Sequence, residues 1–154
     1  MLNLYLALFA AAVAAADQVT KYLTVRHIAP GENIPVLPGV FHLTYMENTG
    51  AAFSILEGKT GFFLLISVLF LALVITAVVK KWFRRRSTLF ALAAVTGGAV
   101  GNLIDRVLHG YVVDMIEVEF IRFAVFNVAD CFITCGAVAL VLCVLLEDLE
   151  EKRK

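Results

Sequence analysis

The sequence has no net charge, few charged side chains and no cysteine outside its last apolar run. Lysine plus arginine number 13, aspartate plus glutamate 13, and charged residues make up 17% of the 154. There is no basic-aromatic face and no zinc-type Cys/His pattern, so nothing points to a nucleic-acid partner. Cys131, Cys135 and Cys143 follow no metal spacing, and no other segment offers them a partner. That argues against a disulfide framework and for three small, buried, apolar side chains. HExxH and GxSxG are both absent, which removes the zinc-peptidase helix and the serine-hydrolase elbow. No metal and no cofactor are expected.

What is present is apolar and gathered into runs. Hydrophobic residues reach 61%, against about 45–50% in ordinary soluble domains, and the mean hydropathy is +0.89. Runs at 2–23, 61–79, 88–108 and 128–146 each approach the roughly 20 residues that cross a bilayer. In lipid they must be helices, because only a helix satisfies its own backbone. Ala14-Ala15-Ala16 looks like a signal-peptide cleavage site, yet no positive segment precedes the first run and the run continues past it; a retained span is the better reading.

Positive charge sets the orientation. The connection 80–87 carries five lysines and arginines in eight residues, and the chain ends Lys152-Arg153-Lys154. Both belong in the cytoplasm, which puts both termini there and turns the connections 24–60 and 109–127 outward. The first outer connection holds Pro38-Gly39 and then alternates, with Phe41, Leu43 and Tyr45 on one side and His42 and Thr44 on the other. This predicts a small β element. The second mixes Met115, Ile116, Val118, Phe120, Ile121 and Phe123 with Glu117, Glu119 and Arg122, as an interfacial segment does. The expected fold is an all-α membrane protein in one domain, 1–154, with four spans, a small extracytoplasmic β element and an interfacial segment.

Charges inside spans are costly and usually functional. Asp17 and Lys21 sit four residues apart on one face of span one. Asp17 is roughly 9 Å below the outer boundary at about 1.5 Å per residue, and Lys21 is expected to snorkel outward from there. Asn102, Asp105 and Arg106 share one face near the outer end of span three, beside a Gly97/Gly101 step that permits close helix contact. Asn127 and Asp130 open span four in the pattern of an N-cap with a capping box. Polar groups from three spans therefore meet at one depth. The inner halves lack the polar residues that a transport path requires.

Two carboxylates sharing one proton can hydrolyse a peptide without a metal or a covalent nucleophile. Asp114 and Asp130 are the best such pair, although neither lies in a presenilin-like GxGD context. Five ordered motifs extend this: Asp17-Gln18-Val19-Thr20-Lys21, Asn48-Thr49-Gly50-Ala51-Ala52-Phe53, Gly101-Asn102-Leu103-Ile104-Asp105-Arg106, Val112-Val113-Asp114, and Phe126-Asn127-Val128-Ala129-Asp130. In these motifs, and in length and span order, nearly the whole chain resembles the lipoprotein signal peptidases, membrane aspartyl proteases of bacteria. The resemblance implies removal of the signal peptide from diacylglyceryl-modified prolipoproteins, just before the lipidated cysteine. It also implies catalysis by Asp114 and Asp130, with Asp17, Lys21, Asn48, Gly50, Asn102, Asp105, Arg106, Asn127 and Ala129 supporting or binding substrate. It further implies residence in the bacterial inner membrane, contact with membrane lipids and inhibition by globomycin-type cyclic peptides. A monomer is expected. Met115 and Ala124 depart from the family's usual phenylalanine and proline, which bears on packing around the site and not on the carboxylates.

Overall fold

The computed structural model describes residues 1–50 and 56–152. Four long apolar helices are present: α1 (Leu2–His27), α2 (Thr60–Val79), α3 (Arg86–Leu108) and α4 (Val128–Glu151). By length and composition all four are able to cross a membrane. Three strands, β1 (Ile34–Leu37), β2 (Phe41–Asn48) and β3 (Val112–Val118), form an antiparallel sheet in the order β1-β2-β3 at one end of the bundle. The β element is therefore larger than expected. Part of the segment expected to lie at the interface is its third strand, and only the part beyond it, with Phe120, Ile121 and Phe123, stays exposed. The alternation expected in β2 breaks at a bulge between Leu43 and Met46, and Thr44 is buried.

Helix α3 is the centre of the bundle, and glycine puts it there. A Cβ on Gly97 would lie 2.6 Å from the Ala10 carbonyl oxygen, and one on Gly101 would lie 2.5 Å from Asp17 Oδ2. The Gly97/Gly101 step is thus the seam with α1, within one bundle. Helix α2 is peripheral, with Ala77 as its one buried residue, and its apolar side chains face outward, as in a lipid-exposed span. At the end away from the sheet, Thr88 bonds Glu147 and Arg85 pairs with Glu150, tying α3 to α4.

The cysteines differ from expectation. All three are free, but none is in the core: Cys131 and Cys143 are half-buried and Cys135 is exposed in the isolated chain. Small side chains suit the rim of a cavity as well as a core, and the periodicity of an all-apolar helix does not separate the two.

The glycine seam is directly testable. Gly101→Ala drives a methyl group into the Asp17 carboxylate, so unfolding in detergent should show a loss of about 1–3 kcal/mol. Gly61→Ala, where nothing lies within 4 Å, should leave the transition unmoved.

Candidate active site

The site is assembled around a buried lysine. Lys21 Nζ lies 2.8 Å from Asp17 Oδ2 and 3.0 Å from Asp105 Oδ2, and donates to Asn102 Oδ1 at 2.9 Å. The expected snorkelling does not occur. Lys21 is 3% exposed, because two carboxylates and an amide oxygen replace the water that its head would otherwise seek.

Each carboxylate around Lys21 also ties down another element. Asp17 Oδ1 accepts the Ala129 N–H at 2.8 Å, joining α1 to the first turn of α4. There the free N–H groups and the helix dipole both favour an anion. Asp105 Oδ2 accepts the Val113 N–H at 3.0 Å, fixing the start of β3 to α3. Asp105 Oδ1 accepts from Gln18 Nε2 at 2.8 Å, and that amide also reaches the Gly101 carbonyl. Gln18 lies in the first motif but was not singled out from sequence; it belongs to the framework.

The lysine sets the direction of the amides. Asn102 Oδ1 accepts both Lys21 and Asn127 Nδ2 (3.1 Å), so Asn102 Nδ2 must face the other way, and it donates to Asp130 Oδ1 at 2.8 Å. Asn127 is the N-cap of α4: its Oδ1 accepts the Asp130 N–H at 2.9 Å, while Asp130 Oδ2 accepts the Asn127 N–H at 3.3 Å. This is the expected capping box, complete in both directions. With its oxygen committed, Asn127 turns Nδ2 to Asp114 Oδ1 at 2.6 Å. Asn48 Nδ2, at the end of β2, donates to Asp114 Oδ2 at 2.8 Å. Both aspartates thus receive amide donors whose orientation is fixed from behind. Backbone bonds of Phe126 to Met115 and Ile116 hold the strand of Asp114 against the entry to α4.

Asp114 and Asp130 open into one cleft of about 560 Å³, within the range of small-ligand sites. Asn48, Gly50, Asn102 and Arg106 complete its polar side; Phe63, Val112, Phe126, Cys131 and Cys135 form much of the apolar remainder. Arg106 lies over the Phe63 ring at 5.0 Å and donates to the Gly50 carbonyl at 3.4 Å. Gly50 N donates to Asn48 Oδ1 at 2.9 Å. Residues 51–53 of the same motif lie outside those described. Burial, together with the nearby Asp130 charge, pushes the Asp114 carboxyl up to about 7. Each residue to which the resemblance gave a catalytic, supporting or substrate-binding role falls in this network or at its rim. Asp17, Lys21, Asp105, Asn127 and Ala129 do not line the cleft; they act from behind it. Phe63 was missed, since nothing in an apolar span marks the residue that will lie under an arginine. Among the described residues no three His, Cys, Asp or Glu side chains converge as a metal site.

Four helices able to span a membrane, with two aspartates opening into one cleft at the sheet end, define a multi-pass membrane protein with a carboxylate-lined cleft. The family profile described as signal peptidase (SPase) II matches residues 9–146. The chain is 42% identical over 134 residues to the lipoprotein signal peptidase of Streptococcus pyogenes serotype M5 (strain Manfredo), covering 87% of this chain and 88% of the relative. The serotype M3 (strain ATCC BAA-595 / MGAS315) protein gives the same figures. A bacterial membrane enzyme solved in meso at 2.3 Å superposes with a TM-score of 0.89 and 34% identity, over 96% of this chain and 91% of the other. A second, solved at 1.9 Å, gives 0.82 and 35% over 90% of each. The chain belongs to the signal peptidase II family.

Removing the central cation should be severe. Lys21→Met leaves two buried carboxylates without their counter-charge, and unfolding in detergent should show a loss of about 3–5 kcal/mol. An unchanged transition would mean that the cluster does not hold the helices together.

Proposed function

We propose that this chain is an aspartyl endopeptidase that removes the signal peptide from diacylglyceryl-modified prolipoproteins, cutting just before the lipidated cysteine. The observation that carries this is the convergence of Asp114 and Asp130 on one cleft, each held by amides and one held near neutrality. Membership of the signal peptidase II family supports the peptidase activity and the prolipoprotein substrate.

A water between the two carboxylates is activated by the ionised one, which takes its proton as the oxygen attacks the scissile carbonyl. The protonated partner then gives its proton to the leaving amine as the C–N bond breaks. The pair ends the cleavage with one proton between its two carboxylates, as it began. Asn48, Asn102 and Asn127 stop the carboxylates from rotating, so the water meets a fixed geometry. Arg106 and the Asn48–Gly50 edge form the side on which the substrate backbone lies, and the apolar wall takes its hydrophobic portions. Asp17, Lys21, Asp105 and Ala129 support this frame.

The five lysines and arginines of the connection 80–87 support a topology with both termini in the cytoplasm and the chain in a bacterial inner membrane. The sheet end and its cleft then lie at the outer leaflet, where a lipid-modified cysteine is anchored. A single chain carries both aspartates, so a monomer suffices. On the same reading, a cyclic peptide of the globomycin type inhibits by occupying this cleft.

Two measurements check this reading. Asp114→Asn and Asp130→Asn keep the side-chain shape, so each should fold normally and lose roughly 10²–10⁴-fold in kcat on a lipidated substrate. Wild-type cleavage by either variant would remove the dyad. The second is pH. Below about 7 Asp114 holds its proton; as pH rises through that value it ionises, no acid is left for the leaving amine, and kcat should fall. A rate that climbs steadily above pH 7 would contradict the shared proton.

A further inference from the structure

One wall of the carboxylate cleft carries two thiols for which the reaction has no chemical use. Helix α4 lines the cleft with Asp130, Cys131, Thr134 and Cys135. Cys131 and Cys135 are one helical turn apart and stand on one face of the helix. Helical side chains lean back over the preceding turn, so Cys135 reaches toward Cys131. Both thiols are free, with Cys135 exposed and Cys131 half-buried. Cys131 lies within electrostatic reach of both Cys135 and Asp130. The remaining cysteine, Cys143, is farther along α4 and does not line the cleft.

The spacing selects what can join the two sulfurs. Side chains at i and i+4 have Cβ atoms about 5–6 Å apart, whereas a direct S–S bond needs about 3.8 Å. The pair is too wide for a relaxed disulfide and is bridged more easily through one added atom. Two thiols are too few for zinc, which takes four ligands. Among the described residues no three His, Cys, Asp or Glu side chains converge as a metal site. Arsenic(III) is thiophilic, keeps one substituent of its own and needs only two sulfurs. Its two-thiol adduct is neutral, which suits an apolar wall beside a carboxylate. We propose that Cys131 and Cys135 form a two-thiol site for arsenic(III), and that filling it closes the cleft beside Asp130.

The step is a condensation. With phenylarsine oxide, two As–S bonds form and two S–H bonds break. The oxygen on arsenic leaves as water with both thiol protons. Arsenic stays trivalent, so no oxidant or reductant takes part. The phenyl group is carried into a cleft of about 560 Å³, in front of both aspartates. The consequence for cleavage rests on the peptidase reading above; the two-thiol site does not.

The test treats the full chain in detergent with phenylarsine oxide and follows intact mass and cleavage of a lipidated substrate. One phenylarsenic group should replace two hydrogens, and cleavage should be lost. Dimercaptopropanol should strip the group and restore cleavage. Mercaptoethanol at the same thiol concentration should do neither, because a chelate resists exchange by single thiols. Cys131→Ala and Cys135→Ala each leave one sulfur on the wall. Mercaptoethanol should therefore strip either variant and return it to its own untreated rate. Cys143→Ala should behave as the unmodified chain throughout. The proposal is overturned if the unmodified chain takes up no arsenic or yields it to mercaptoethanol. A mercaptoethanol-resistant adduct on either single variant also overturns it. Cleavage that continues with the pair occupied overturns closure of the cleft. Mass reads the site without activity, so a chain that cleaves nothing still tests the two-thiol site.

Discussion

Everything in this molecule leans on one ammonium group taken out of water. Lys21 is buried against Asp17, Asp105 and Asn102, and such a cluster is tolerable only when every donor and acceptor finds a partner. Here they do: among the described residues no buried side-chain nitrogen or oxygen lacks a hydrogen bond. The requirement propagates. Satisfying Asp17 fixes the start of α4, satisfying Asp105 fixes β3, and satisfying Asn102 fixes the direction of the amide facing Asp130. Elements far apart in sequence are brought to one place because the charges shared between α1 and α3 demand it.

The energetic logic runs against intuition for a membrane protein. Lipid gives helices no hydrophobic reason to associate. Glycine lets α3 approach α1 at Gly97 and Gly101 and α4 at Gly98, where a Cβ would lie 2.5 Å from the Ala129 carbonyl oxygen, and the polar cluster supplies specific bonds where they meet. Packing and polarity are interlocked at Gly101, whose missing side chain is the space occupied by the Asp17 carboxylate. Helix α2 takes little part in either and contributes mainly Phe63 beneath Arg106.

Much of this was legible in the sequence, for identifiable reasons. The spans follow from hydrophobic length, and the end at which polar residues collect follows from their positions within those runs. The capping box at Asn127 and Asp130 could be read from spacing alone. What could not be read was long-range and directional. Lys21 looks free to snorkel until Asp105, 84 positions away, is known to face it. The strand at 112–118 looks interfacial because its partner, β2, lies in a different connection. The cleft role of Cys131 and Cys135 is hidden because an all-apolar helix carries no mark of which side faces a cavity.

The double use of Asn127 has a further consequence. One amide caps α4, through Oδ1 on Asp130 N–H, and holds Asp114, through Nδ2. Asn102 is spent in the same way between Lys21, Asn127 and Asp130. Such atoms leave the sequence almost no room to drift, since a substitution at either position is felt by the helix packing and by the cleft carboxylates together. Neutral variation is channelled to the apolar side of the cleft, where Phe63, Val112, Cys131 and Cys135 can change size without touching a committed hydrogen bond.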